Sequence, residues 1–212
     1  MKASVTYRHR GHYSMSHLPN RDEKEIIIAL HGYGQLAEYF LKKFEPLFRE
    51  DRLVVVPEAT NYAYQQGFSG RVGAIWMTSH ERETAIENNN HYLNEILESV
   101  LIKYKQKPVV KVIGFSQGAA TASRWVSQLS FKVDTLVLWS GGFAHDLDVS
   151  RAAQNLKDTK VVVVLGDSDP MITSESIQKQ NEFIASLPFE VERLEFKGGH
   201  DINLPLLKSI FA

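Results

Sequence analysis

Five short runs of aliphatic residues punctuate the chain: Ile26 to Leu30, Leu53 to Val56, Val109 to Ile113, Thr135 to Trp139 and Val161 to Leu165. Each is nearly continuous rather than alternating, the pattern of a strand buried on both faces. Val191 to Phe196 reads as a further strand. Between the runs lie helical periods. Leu93, Ile96, Leu97, Val100, Leu101 and Tyr104 recur at three and four and form one apolar stripe. Leu36, Phe40, Phe44 and Leu47 do the same, Ala119 to Leu129 is helix-like, and Leu204, Leu207 and Phe211 mark a helical tail.

Strands alternating with helices imply parallel pairing through right-handed crossovers, and so predict an α/β fold with a mostly parallel twisted sheet and helices on both faces. Ligands of such sheets bind beyond the carboxyl ends of the strands. The opening segment alternates weakly around Gly11, with Val5, Tyr7 and Tyr13, and predicts an antiparallel hairpin on one sheet edge. Thr60 to His80, rich in Gly, Tyr, Phe and Trp, predicts a long loop. No repeat, low-complexity tract or linker interrupts the pattern, so residues 1–212 are expected to form a single domain.

Charge narrows the partners. Twenty-four basic and 25 acidic residues nearly cancel, with no long run of like charge, so no footprint for nucleic acid or an anionic membrane is present. A small-molecule partner is expected. Cysteine is absent, which excludes disulfides, thiolate metal sites and a cysteine nucleophile. Met1 to Pro19 is polar and histidine-rich, and nowhere do about 18 apolar residues run together. A cytoplasmic location without integral membrane association is therefore the expectation. His9, His12 and His17 lack metal-ligand spacing and are expected to be solvated on the opening hairpin.

Chemistry gathers at strand ends. Gly114-Phe115-Ser116-Gln117-Gly118 is a G-x-S-x-G string between the strand Val109 to Ile113 and the helix-like Ala119 to Leu129, the setting of a nucleophile elbow. A serine on a strained strand-to-helix turn needs small neighbours so that backbone and helix approach closely. Ile26 to Leu30 ends in His31-Gly32-Tyr33-Gly34, a turn able to aim N–H groups at a developing oxyanion, with Tyr33 and Gln117 as the two expected donors. His31 competes for the role of base, although its place between a strand and a glycine favours a structural role.

Val161 to Leu165 runs into Gly166-Asp167-Ser168-Asp169-Pro170. Asp169 is preferred as the orienting acid because the residue before proline is held extended, with Asp167 as a turn residue. The preceding strand end offers Asp146 and Asp148 as rivals. Finally, Gly198-Gly199-His200 follows the strand Val191 to Phe196. The chain order Ser, Asp, His is that of α/β-hydrolases and differs from the chymotrypsin and subtilisin orders.

These residues resemble the carboxylesterase/phospholipase family of α/β-hydrolase serine esterases, the group that includes acyl-protein thioesterases. The resemblance spans nearly the whole chain. It is carried by LHGYG at Leu30 to Gly34, GFSQGA at Gly114 to Ala119, GDSDPMI at Gly166 to Ile172 and GGHDI at Gly198 to Ile202. It implies a triad of Ser116, Asp169 and His200, an oxyanion hole from Tyr33 and Gln117, and no metal or organic cofactor. Single helices fill the spacings between strands, so no separate lid domain is expected. Phe68, Arg71, Trp76 and Met77 look similar to a region that shapes the substrate pocket in the family, so Phe68, Trp76 and Met77 are expected to bind substrate. Packing of Phe68 and Trp76 against the body of the protein is an equal alternative. Tyr33 departs from the smaller aliphatic residue that relatives often carry there, which bears on substrate preference. The implied activity is hydrolysis of carboxylic esters with short to medium acyl chains, or of a lysophospholipid or thioester. A peptidase using the same residues and a non-catalytic binding protein of the same fold are the rival readings.

Overall fold

Every apolar run finds a place in a single sheet. In a computed structural model of the chain, which describes residues 1–102 and 104–212, seven strands pair in the order β1 (Tyr13–Met15), β3 (Arg52–Pro57), β2 (Glu25–Leu30), β6 (Val109–Phe115), β7 (Thr135–Trp139), β8 (Lys160–Gly166) and β9 (Val191–Phe196). All neighbours are parallel except the edge pair of β1 and β3.

Alternation along the strands sorts their side chains into two cores. Ile26, Ile28, Leu53, Val55, Val110 and Val112 face one way, under α2 (Arg82–Leu101), α3 (Gln117–Val126) and α4 (Val149–Leu156). Ile27, Ala29, Val54, Val56 and Ile113 face the other, under α1 (Ala37–Lys42) and α6 (Leu204–Ile210). The α2 stripe is the predicted one: Leu93, Ile96, Leu97 and Val100 are buried. A further helix, α5 (Ser174–Ala185), opens with a capping box between Thr173 and Ser176.

Three expectations need correction. The helix anticipated across Leu36 to Leu47 stops at Lys42 and resumes as a 3-10 turn at Glu45–Leu47, because Pro46 has no N–H to donate and its ring crowds the carbonyl four residues back. Phe40, Phe44 and Leu47 still reach the core. The opening segment forms no hairpin; only Tyr13–Met15 pairs, as an antiparallel edge strand on β3. Most of Thr60 to His80 is not a loop but a two-stranded ribbon, β4 (Asn61–Gln66) against β5 (Ser69–Ile75). Gly67, in its turn, and Gly70, near the start of β5, take positive φ that glycine accepts without strain.

Candidate active site

Four parallel strands deliver their carboxyl ends to one edge, and the chemistry sits there. β6 ends in Phe115, and the chain turns at Ser116 with φ 54° and ψ −118° before entering α3. A side chain rarely tolerates this backbone, so the surroundings must hold it. The Ser116 N–H donates to the Trp139 carbonyl at 2.8 Å, and the Ser116 carbonyl accepts from Ala119. Glycine is required on both sides: a Cβ at Gly114 would overlap the Gly118 carbonyl, and one at Gly118 would overlap the Leu30 carbonyl.

The three expected polar groups meet. His200, on the loop after β9, places Nε2 2.9 Å from Ser116 Oγ and Nδ1 2.7 Å from Asp169 Oδ2. With a carboxylate as partner, Nδ1 carries the proton and donates, which leaves Nε2 to accept from the serine hydroxyl. The Asp169 side chain is fully enclosed, its other oxygen accepting from the Met171 N–H at 2.9 Å. The imidazole packs on Phe115, with ring centroids 5.0 Å apart. A carboxylate, an imidazole and a hydroxyl in this chain can shift the hydroxyl proton as the oxygen attacks a carbonyl.

The serine hydrolase family model, Serine hydrolase (FSH1), matches residues 20–209, which hold this whole constellation. The chain belongs to this serine hydrolase family. Its membership makes it a hydrolase with ester hydrolysis as its general chemistry. Comparison with curated protein sequences finds no match. Solved structures that share the fold include a phospholipase/carboxylesterase from Dyadobacter fermentans, 18% identical with a TM-score of 0.71 over 98% of this chain and 99% of that one. Acyl-protein thioesterase 2 of Zea mays is 17% identical, with a TM-score of 0.72 over 95% and 96%. Esterase PE8 is 20% identical, with a TM-score of 0.67 over 95% and 96%. These establish the α/β-hydrolase architecture of the chain.

In this serine hydrolase the rival residues are committed elsewhere. His31 is fully buried; its Nε2 accepts from the Ala59 N–H at 3.0 Å and its Nδ1 faces the Gly32 carbonyl at 2.7 Å. Burial holds the imidazole below its ordinary pKa, against the opposing pulls of that carbonyl and of Glu58. A neutral, enclosed ring with both nitrogens bonded fastens the loop. Asp167 accepts from the Gly198 N–H at 3.0 Å, joining the loops that carry Asp169 and His200. Asp148 caps α4. Asp146 is gripped by Arg124 at 2.8 Å and Arg82 at 2.6 Å. Burial pushes the Asp146 carboxyl up, but its bonds to both guanidinium groups outweigh that and bring it down to about 2.

Tyr33 stands on the loop after β2 and Gln117 opens α3 directly after Ser116, and neither backbone N–H donates to another backbone group among the described residues. Gly34, beside Tyr33, adopts φ 71° and donates to the Ala74 carbonyl at 2.9 Å. Gly73 lies against Gly34 so closely that a Cβ would overlap its backbone. The base of the ribbon is thus stapled to the loop that carries Tyr33.

The expected substrate-binding residues separate. Trp76 is fully buried, with its indole N–H donating to the His31 carbonyl at 2.8 Å, so it does not face a substrate. A ring this large with one polar atom is most stable where the body is enclosed and the N–H has an acceptor. Phe68 stands at the ribbon's tip, essentially fully exposed. Met77 is half-buried, with its sulfur beside Arg124. One structural role has no counterpart in the sequence pattern: the Gln117 side chain accepts from the Trp76 N–H at 3.0 Å and donates to the Met77 carbonyl at 2.8 Å. Its neighbourhood to Ser116 was visible in sequence, but the segment it would clamp was not.

Proposed function

We propose that this serine hydrolase cleaves carboxylic esters of short to medium acyl chain length through an acyl-enzyme on Ser116, with His200 as the base, Asp169 as its orienting acid, and the N–H groups of Tyr33 and Gln117 as the oxyanion hole. The observation that supports this most directly is the unbroken hydrogen-bond chain from Asp169 through His200 to Ser116.

In the first half-reaction Ser116 Oγ bonds to the ester carbonyl carbon while its proton moves to His200 Nε2. The oxyanion is stabilised by the two N–H groups, which are positioned in advance and so cost little reorganisation. The carbon–oxygen bond to the alcohol then breaks, and the alcohol leaves with the proton from Nε2. Water repeats the sequence on the acyl-enzyme: its proton goes to Nε2, its oxygen bonds to carbon, and Ser116 leaves with the proton returned. Asp169 holds Nδ1–H in place and stabilises the imidazolium without taking the proton. The fully enclosed aspartate and the strained serine turn keep both partners of the imidazole fixed through the cycle.

Treatment with a fluorophosphonate, followed by mass spectrometry of the adduct, tests this reading. Labelling at Ser116 that is lost in Ser116→Ala and in His200→Ala is expected. Folded protein that takes no label would overturn it in favour of a non-catalytic binding protein. A panel of esters, thioesters and peptides in which only peptides turn over would transfer the same residues to a peptidase.

A further inference from the structure

Beside the candidate centre runs an open groove of about 600 Å³ that the triad does not use. One wall is the Tyr33 loop and α1, with Tyr33, Tyr39 and Lys43; the other is the exposed ribbon, with Gln65, Arg71 and Val72. Two features connect it to Ser116. Tyr33, the proposed oxyanion donor, lines it. Phe40, in its floor, packs 6.0 Å from the Phe115 ring, and Phe115 packs on His200.

The charged side chains that line this groove are both cationic. Lys43 and Arg71 line it, and no carboxylate does; Lys42 sits over the Tyr39 ring at 5.2 Å, adding a third cation at the rim. Lys43 is already answered by Asp201, at 2.6 Å. Arg71, by contrast, has no ion-pair partner among the described residues. Beside these cations the lining combines the rings of Tyr33 and Tyr39, the aliphatic side chains of Leu36 and Val72, and the amides of Gln35 and Gln65. Such a groove matches a molecule with an ester at one end, an apolar spacer, and an anion at the other. A guanidinium favours carboxylate or phosphate because its planar fork donates to two oxygens at once.

We propose that Arg71 makes this groove a subsite for the anionic end of the substrate, so that the preferred esters carry a carboxylate or phosphate group separated from the scissile carbonyl by an apolar chain. The inference rests on the esterase reading above and narrows its substrate class. It also gives the ribbon a function: the cation is carried on a two-stranded arm whose base is bonded to the Tyr33 loop through Gly34 and Ala74.

The test compares mono-4-nitrophenyl adipate with its neutral analogue 4-nitrophenyl hexanoate in wild type, Arg71→Glu and Arg71→Lys, at low and at high salt. Wild type is expected to favour the adipate ester by about tenfold or more in kcat/KM, the scale of one charge-assisted contact. Arg71→Glu should collapse or invert that ratio, Arg71→Lys should keep most of it, and salt should reduce it in wild type. Competition against the neutral ester by adipate or by butyl phosphate identifies the anion that fits. No preference in wild type, a ratio that survives Arg71→Glu, or inhibition by neither anion would overturn the proposal. Each of those outcomes is read on protein whose Ser116 takes fluorophosphonate. Absence of that label is the failure of the esterase reading itself, and this inference falls with it.

Discussion

The two sides of the candidate centre are built by opposite means. On one side Ser116, Asp169 and His200 stand on turns that leave the sheet, and backbone bonds tie those turns to neighbouring strands and loops: Ser116 to Trp139, Ser140 to Val164, Ser168 to Gly198. On the other side the β4–β5 ribbon pairs only with itself along its length, is exposed along all of β4, and joins the body through a few bonds at its base. The first arrangement holds set partners within hydrogen-bond reach, as proton transfer between them requires. The second leaves a surface whose side chains are free to differ between relatives without disturbing the sheet. On the readings proposed above, reaction chemistry and substrate choice fall to separate structural parts.

The largest effects should come from the fixed side. Ser116→Ala deletes the attacking oxygen while keeping the turn, and is expected to lower kcat for any ester by roughly 10⁴-fold or more, with a melting temperature near that of wild type. Residual activity within tenfold of wild type would remove Ser116 from the mechanism. Gly118→Ala pushes a methyl group into the Leu30 carbonyl, backbone that has no room to yield. It should cost about 3 kcal/mol or more, seen as a large loss of melting temperature or of soluble protein. A melting temperature within a degree or two of wild type would show that the elbow is looser than the geometry implies.

Asp146 offers an intermediate effect and a pH signature. Arg124 is almost completely buried against it, so Asp146→Asn strands a cation and should cost about 3 kcal/mol near neutral pH. The carboxyl is held at about 2 in the folded chain, against about 3.9 unfolded. A depressed carboxyl stabilises the fold above its unfolded pKa, and that contribution is lost as the pH falls from about 4 towards 2. Denaturation followed across that window should show the gap between wild type and Asp146→Asn closing with acid. A gap that is constant from pH 6 to pH 2 would mean that the ion cluster is not its source.

What could be read from sequence divides along the same line. The strands β2, β3, β6, β7 and β8 were legible because burial on both faces demands continuous apolar runs, and the loops beyond them because glycines and a proline mark turns at strand ends. The juxtaposition of Ser116, Asp169 and His200 followed from order and strand-end position alone. The ribbon was not legible. Tyr62-Ala63-Tyr64-Gln65-Gln66 has no alternation of apolar and polar residues, since neither of its faces is covered and nothing selects one over the other. Its signal was weaker: tyrosines of high strand propensity and two glycines at a turn. Sequence leaves Trp76 open between substrate contact and packing for a related reason, because an aromatic residue near the site carries no mark of whether it lines the pocket or braces the loop behind it. The groove with Arg71 depends on two elements far apart in the chain, and no local pattern announces it.

The smallest expected effect tests whether the ribbon does anything beyond carrying Arg71. Phe68 stands essentially free at the tip, so it buries no area whose loss would register, and Phe68→Ser should leave stability within about 0.5 kcal/mol of wild type. A ring that contacts the far end of a longer acyl chain would nonetheless contribute part of the roughly 0.8 kcal/mol available per buried methylene. The expected outcome is therefore a KM raised about two- to threefold for the longer esters, with short esters and kcat unaffected. Equal kinetics for acetate and octanoate esters in both proteins would confine the tip to the solvent and leave the groove wall, rather than the end of the ribbon, as the part that meets substrate. A fall in melting temperature of several degrees would carry a different lesson: the ring would then pack against the body of the protein, and the ribbon would be less independent of the sheet than its exposed strands indicate.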